Sequence, residues 1–145
     1  MTVKLAFAFP SQPKPGNVMG KTPPEMEFSY STLPTEGDLI VTVGIIGMKD
    51  EALYSLHLNV FSEDDVDVTL APSQNKDISS YHQLNGKNGE VVSYISLTDK
   101  FKVLNTGTYR LFLKLLEGHV EDEQTNWSEV DRITSYLCVS EEWGE

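Results

Sequence analysis

A single cysteine, Cys138, leaves the chain no internal disulfide. Its setting in "ITSYLCVS" is that of a buried strand thiol, and free cysteine favours a reducing, cytoplasmic compartment. Long apolar runs are also missing. None approaches the roughly 18 residues that cross a bilayer. The opening "MTVKLAFAFPSQPKPG" lacks the longer apolar stretch and small-residue cleavage site of a secretory leader, and is read as a first strand. Basic residues are scarce, 11 Lys and Arg against 22 Asp and Glu, for a net charge of -11. With no basic stripe to displace counterions, neither nucleic acid nor an anionic membrane is an expected partner. Solubility is the ordinary account of this acidity, and docking of a basic partner the sharper one.

Reactive constellations are missing too. No nucleophile elbow or dinucleotide fingerprint occurs, and "GKNGE" lacks the strand-to-helix context of a phosphate-gripping loop. The three histidines, His57, His82 and His119, lie in three segments with no ligand spacing. No enzyme activity and no cofactor are therefore expected. An enzyme would require Cys138 or a carboxylate pair to meet a histidine in the fold.

What is present is alternation. At 145 residues, 39% apolar and 23% charged, the chain suits one domain spanning 1-145. In "TVKLAFAF", Val3, Leu5, Phe7 and Phe9 share one side and Thr2, Lys4, Ala6 and Ala8 the other. Five of the seven prolines then crowd residues 10-24, which excludes a regular element and predicts a loop crossing between sheets. "EMEFSYS" puts Met26, Phe28 and Tyr30 on one face. The turn "LPTEGD" leads to "LIVTVGIIGM", the run richest in β-branched residues. "LYSLHLNVF" also fits a helical stripe at Leu53, Leu56 and Val60, but its two-residue alternation is longer and strand is preferred. "DVDVTLA", "VVSYISL" and "TYRLFLKLL" add strands, the last with Tyr109, Leu111, Leu113 and Leu115 inward. The polar stretch 72-90 between them holds two Asn-Gly turn formers. "EGHVEDEQTNWSEVDR" reads as an acidic excursion with one helical turn from Ser128, Asp131 completing a capping signal. "ITSYLCVS" closes the fold, and 140-145 is a tail.

Strand after strand without crossover helices predicts an all-β chain: an antiparallel β-sandwich, immunoglobulin-like or jelly-roll-like, of about eight to nine short strands. In "LNTGTYRLFLKLL" a glycine stands two residues before Tyr109 at a strand entrance. That placement resembles immunoglobulin-like sandwiches, and the resemblance implies a tyrosine hydroxyl turned back to pin the corner. The paired cysteines and mid-strand tryptophan of antibody domains are absent, so architecture alone is implied.

The leading functional expectation is a non-catalytic protein, bacterial or phage-related in style, that binds another protein or itself, a homodimer included. Its interface candidates are Phe61 and Phe112, opposite the core, with Arg110 and Lys114 beside them. The alternative is a ligand-binding module for carbohydrate or calcium. Asp64, Asp65 and Asp67 in "SEDDVD" are the metal candidates, although the stretch lacks the central glycine and terminal glutamate of a helix-flanked calcium loop. Trp127 and Trp143 could form a sugar-stacking surface, and the acids around Glu121 belong to the same sugar- or calcium-binding module.

Overall fold

The computed structural model describes residues 3-13, 23-49, 52-70, 75-77, 83-85 and 91-142. Among the described residues ten strands appear in chain order: β1 (Lys4–Ser11), β2 (Glu27–Tyr30), β3 (Thr35–Met48), β4 (Leu53–Phe61), β5 (Thr69–Leu70), β6 (Asn75–Asp77), β7 (Gln83–Asn85), β8 (Val91–Val103), β9 (Gly107–Glu121) and β10 (Gln124–Glu141). No helix occurs among the described residues. One sheet, here sheet A, runs β1-β3-β8-β5 with β7 also on β8; sheet B runs β2-β10-β9-β4-β6. All pairings are antiparallel except β2 with β10. The expected all-β sandwich is the fold found.

Two-residue periodicity builds the core. Leu39, Val41, Val43 and Ile45 of β3 meet Leu56, Leu58 and Val60 of β4 and Leu111, Leu113 and Leu115 of β9, all buried. At one end Phe101 of sheet A stands edge-on to both Phe28 and Tyr109 of sheet B, with centroids 6.5 and 5.7 Å apart. Each such pair adds about 0.5–1.5 kcal/mol beyond the area it buries. The corner implied by the resemblance is present. Tyr109 Oη donates to the Asn105 carbonyl at 2.8 Å and accepts the Leu104 and Asn105 N–H groups at 3.2 Å. Gly107 has φ of 136° at that corner, a backbone that L side chains rarely adopt.

Several expectations are corrected. A bulge between Leu5 and Phe7 adds one residue to β1, so Val3 and Leu5 face the core while Phe7 and Phe9 turn outward and Ala8 packs inward. Met26 precedes β2 and is 75% exposed, so it does not share the buried face of Phe28. Thr35 to Asp38, expected in a turn, already belong to β3, and the strand expected over "VVSYISL" runs on to Val103. The helical turn at Ser128 does not form. Asp122 and Glu123 both hold positive φ, 51° and 65°, which reverses the chain in two residues and lets β9 and β10 pair throughout. Ser128 pairs with Glu117, and the Asp131 carboxylate accepts the Leu5 N–H at 2.8 Å, tying β10 to β1. Cys138 is exposed, because Leu137 and Val139 take the inward positions of β10. Ser140 and Glu141, expected in the tail, are paired with β2, and Pro10 and Ser11, expected in the proline loop, belong to β1. His82, Trp143 and both Asn-Gly pairs lie wholly or partly outside the described residues.

Candidate binding surfaces

Burying Tyr109, Leu111, Leu113 and Leu115 turns Arg110, Phe112 and Lys114 to the outer face of sheet B. In register with Arg110 stand Phe61 on β4 and Tyr136 on β10. The Arg110 guanidinium lies 4.8 Å over the Phe61 ring, and one of its amines is 3.4 Å from Asp65 Oδ1. Its Nε is buried without a partner. Lys114 Nζ sits 5.6 Å over the Phe112 ring. Of the four interface candidates, both aromatics are thus half-buried under cations, contacts worth about 0.5–1 kcal/mol each at exposed sites. Beside Arg110 a depression of about 240 Å³ is lined by Ser62, Glu63, Asp65, Thr108, Arg110 and Tyr136.

The three metal candidates do not converge. Asp65 turns to Arg110, Asp67 accepts from Asn59 Nδ2 at 3.2 Å and the Thr69 N–H at 3.0 Å, and Asp64 is exposed. Among the described residues no three His, Cys, Asp or Glu side chains gather around a common point. His57 and His119 are separated as well. His57 faces outward on β4, its Nε2 buried and unpartnered, whereas His119 lies on the opposite face of the sheet. Cys138 pairs with Thr108, roughly 35 Å of extended strand from His119.

A carboxylate and a histidine do meet where sequence reasoning placed neither. Glu117, 7% exposed at the rim of the core, takes a 2.7 Å hydrogen bond with His119 Nε2 and a 2.9 Å bond from Tyr54 Oη. Tyr54 Oη in turn accepts the Lys49 N–H at 2.9 Å. Burial alone would push the Glu117 carboxyl up. The hydrogen bonds from His119 and Tyr54, with the charges of Lys49 and His119, outweigh it and hold the group below its ordinary value. Burial, then the neighbouring Glu117, pushes Tyr54 up to about 12 against the pull of the Lys49 N–H. Glu-x-His on the inward side of a strand was the available signal, since alternate residues share a side. The arrangement fastens β4, β9 and the β3–β4 turn.

Two further surfaces carry exposed aromatics. On the outer face of sheet A, Phe7 stacks on Phe9 and meets Tyr94, each at 5.9 Å between centroids. Phe7 is 38% exposed, Tyr94 46% and neighbouring Ile46 37%. The ring of Phe7 lies across Gly44, its cross-strand partner. At the far end of sheet B the β9–β10 hairpin forms an arm, exposed from His119 to Glu129. Trp127 lies across its own partner Gly118, where an added Cβ would stand 2.9 Å from the indole. Trp127, Val120 and Leu53, the last paired with Gly118 on β4, make the arm's outward side apolar. In both places glycine seats a large ring, which holds the aromatic flat on the sheet.

These observations define an all-β sandwich whose chemistry-bearing side chains sit on outer faces and rims. No family model matches the chain, and no curated protein matches it. Among solved structures, the C-terminal domain of wzt superposes with a TM-score of 0.54 at 12% identity, over 98% of this chain and 77% of that one. The likeness concerns the fold alone.

Proposed function

We propose that this chain is a non-catalytic protein-binding module whose working surface is the outer face of sheet A. The observation that carries this reading is the uncovered cluster of Phe7, Phe9, Tyr94 and Ile46. Aromatic side chains held in place lose little entropy on binding and dominate interface energetics. A reducing, cytoplasmic setting belongs to the same reading, since the exposed thiol of Cys138 would pair between molecules in an oxidising compartment. The test is affinity capture from cells of the source, comparing the wild type with a Phe7→Ser, Tyr94→Ser variant shown to be folded. A protein, or the chain itself, retained by the first and lost by the second supports the reading. Equal retention by both sinks it.

A second reading is favoured by the depression at Arg110, which gathers the hydroxyl-bearing Ser62, Thr108 and Tyr136, the carboxylate-bearing Glu63 and Asp65, and Arg110. Such a mixture of donors and acceptors suits a neutral polyhydroxylated ring such as a sugar. Saturation-transfer NMR with a monosaccharide panel tests it. Signals abolished by Arg110→Ala would support the site.

A further inference from the structure

Arg110 and Asp65 meet at the depression on the outer face of sheet B without closing on each other. A guanidinium nitrogen stands 3.4 Å from Asp65 Oδ1, beyond the roughly 2.7–3.2 Å of an N–H···O bond, and both heads reach solvent. Such an exposed pair contributes little by itself. Each partner nevertheless has its own support. The Arg110 guanidinium lies 4.8 Å over the ring of Phe61, its cross-strand neighbour on β4. Asp65 sits in a tight turn, where its N–H donates to the Ser62 carbonyl at 2.9 Å and its φ is 59°. The Ser62 N–H donates to the Val66 carbonyl at 2.9 Å, and the Val66 N–H donates to Ser62 Oγ at 3.2 Å. That turn packs on the β8–β9 corner, for an added Cβ at Gly107 would stand 2.5 Å from Glu63 Oε2. A donor fork and an acceptor are thus fixed side by side at a hollow of about 240 Å³. Tyr136, 56% exposed, stands in register with Arg110 at its rim.

We infer that Arg110 and Asp65 together recognise two adjacent hydroxyls of a sugar ring, a vicinal diol. The inference rests on the sugar-binding reading and names the group that the site selects. A guanidinium only donates, an ionised carboxylate only accepts, and a hydroxyl does both. One ring hydroxyl therefore accepts from Arg110 while its neighbour donates to Asp65, and the diol spans the gap between the two heads. Both bonds are charge-assisted, the stronger kind. Neither head has to be gathered on binding, so little ordering is left to offset them. Other ligand chemistries fit less well. A phosphate or carboxylate would face Glu63 and Asp65, two acids against one arginine, and an ammonium group would meet the charge of Arg110. The C–H side of the ring rests on Tyr136, whose aromatic face is apolar. The hollow is smaller than the roughly 300–1,000 Å³ of drug-sized sites, so it takes one ring at a time.

The test is NMR titration of the full chain with the methyl pyranosides of glucose, galactose and mannose, each beside analogues that lack one ring hydroxyl at a time. For a glycoside that binds, loss of either member of one adjacent pair is expected to weaken affinity about tenfold or more. Loss of the remaining ring hydroxyl is expected to change it little. Asp65→Asn keeps the turn, because asparagine tolerates the same φ, and replaces the carboxylate by an amide. That variant is expected to bind the parent glycoside about tenfold more weakly. It is also expected to lose the extra penalty for the analogue without the donating hydroxyl, the coupling that marks a direct contact. Asp64→Asn, exposed and outside the lining of the depression, is the control and is expected to bind as the wild type does. Equal losses at every ring position overturn the inference, as does full affinity in Asp65→Asn. If Arg110→Ala abolishes binding in those cases, the sugar reading stands without the diol. No binding of any glycoside by the wild type overturns the inference and the sugar reading together.

Discussion

The hydroxyl of Tyr109 and the backbone of Asn105 bond in both directions: the hydroxyl donates to the carbonyl at 2.8 Å and accepts the N–H at 3.2 Å. With the Leu104 N–H also held at 3.2 Å, one oxygen fixes the turn that starts β9. Tyr109→Phe keeps the buried ring and orphans those partners. The expected cost is about 1–3 kcal/mol, read as a lower urea midpoint with an unchanged m value. Tyr136→Phe, on the outer face, is the control and is expected within about 0.5 kcal/mol of wild type. Equal losses in the two variants would mean that the corner is not held by this hydroxyl.

Phe7 over Gly44 makes a second prediction. Gly44 has no positive φ, so alanine suits its backbone and only the ring stands in the way. Gly44→Ala is expected to displace Phe7 and destabilise by roughly 1 kcal/mol, as overpacking does. In a Phe7→Ala background the same change is expected to be neutral or stabilising, because glycine inside a strand costs entropy. The coupling in the double-mutant cycle, about 0.5–1.5 kcal/mol, measures the seat itself. A coupling of zero removes the claim that glycine positions the ring.

The inward faces were legible because nothing interrupts their alternation. Leu111, Leu113 and Leu115 could be read directly, as could Leu56, Leu58 and Val60. Phe7 and Phe9 were misread because one bulged residue near Ala6 inverts everything after it, and alanine carries no mark of a bulge. The turn of the arm is hidden because Glu123 stands after Asp122 where a hairpin signal would have glycine. Once that turn went unrecognised, Trp127 fell into a loop and Ser128 into a helix. Cys138 shows the same effect on a smaller scale: its apolar neighbours suggested burial, but parity within β10 decided the matter. The pairing of Arg110 with Asp65 depends on a loop between β4 and β5 meeting β9, contacts that no local pattern encodes.

The Glu117 cluster predicts a pH dependence whose sign follows from the depressed carboxyl. A group held below its ordinary value contributes stability that is full above its unfolded value, 4.5, and is lost as pH falls through the folded one. Glu117→Gln should therefore be less stable than wild type at pH 7, and the gap should narrow as pH drops below about 4.5. Tyr54, pushed up to about 12, works in the other direction: its contribution is full below 10 and fades as pH rises toward 12. Tyr54→Phe should thus be relatively less harmful at pH 11 than at pH 7. Urea midpoints across pH for the three proteins decide it, and a gap independent of pH would show that neither group titrates in step with unfolding.

The turn at the tip of the arm offers the last prediction. Asp122 and Glu123 are forced to φ of 51° and 65°, where a side chain costs about 1 kcal/mol relative to glycine. Glu123→Gly should relieve that cost and raise the melting temperature by roughly 3 °C in a domain of this size. The same substitution also removes one of three adjacent carboxylates, so repulsion could produce the gain. Glu123→Gln separates the causes, since it discharges the position and keeps the Cβ. If backbone geometry limits the turn, glycine exceeds glutamine by most of the shift, and the difference survives in high salt. If glutamine matches glycine, and salt erases the gain, repulsion among Glu121, Asp122 and Glu123 is what the arm's tip tolerates.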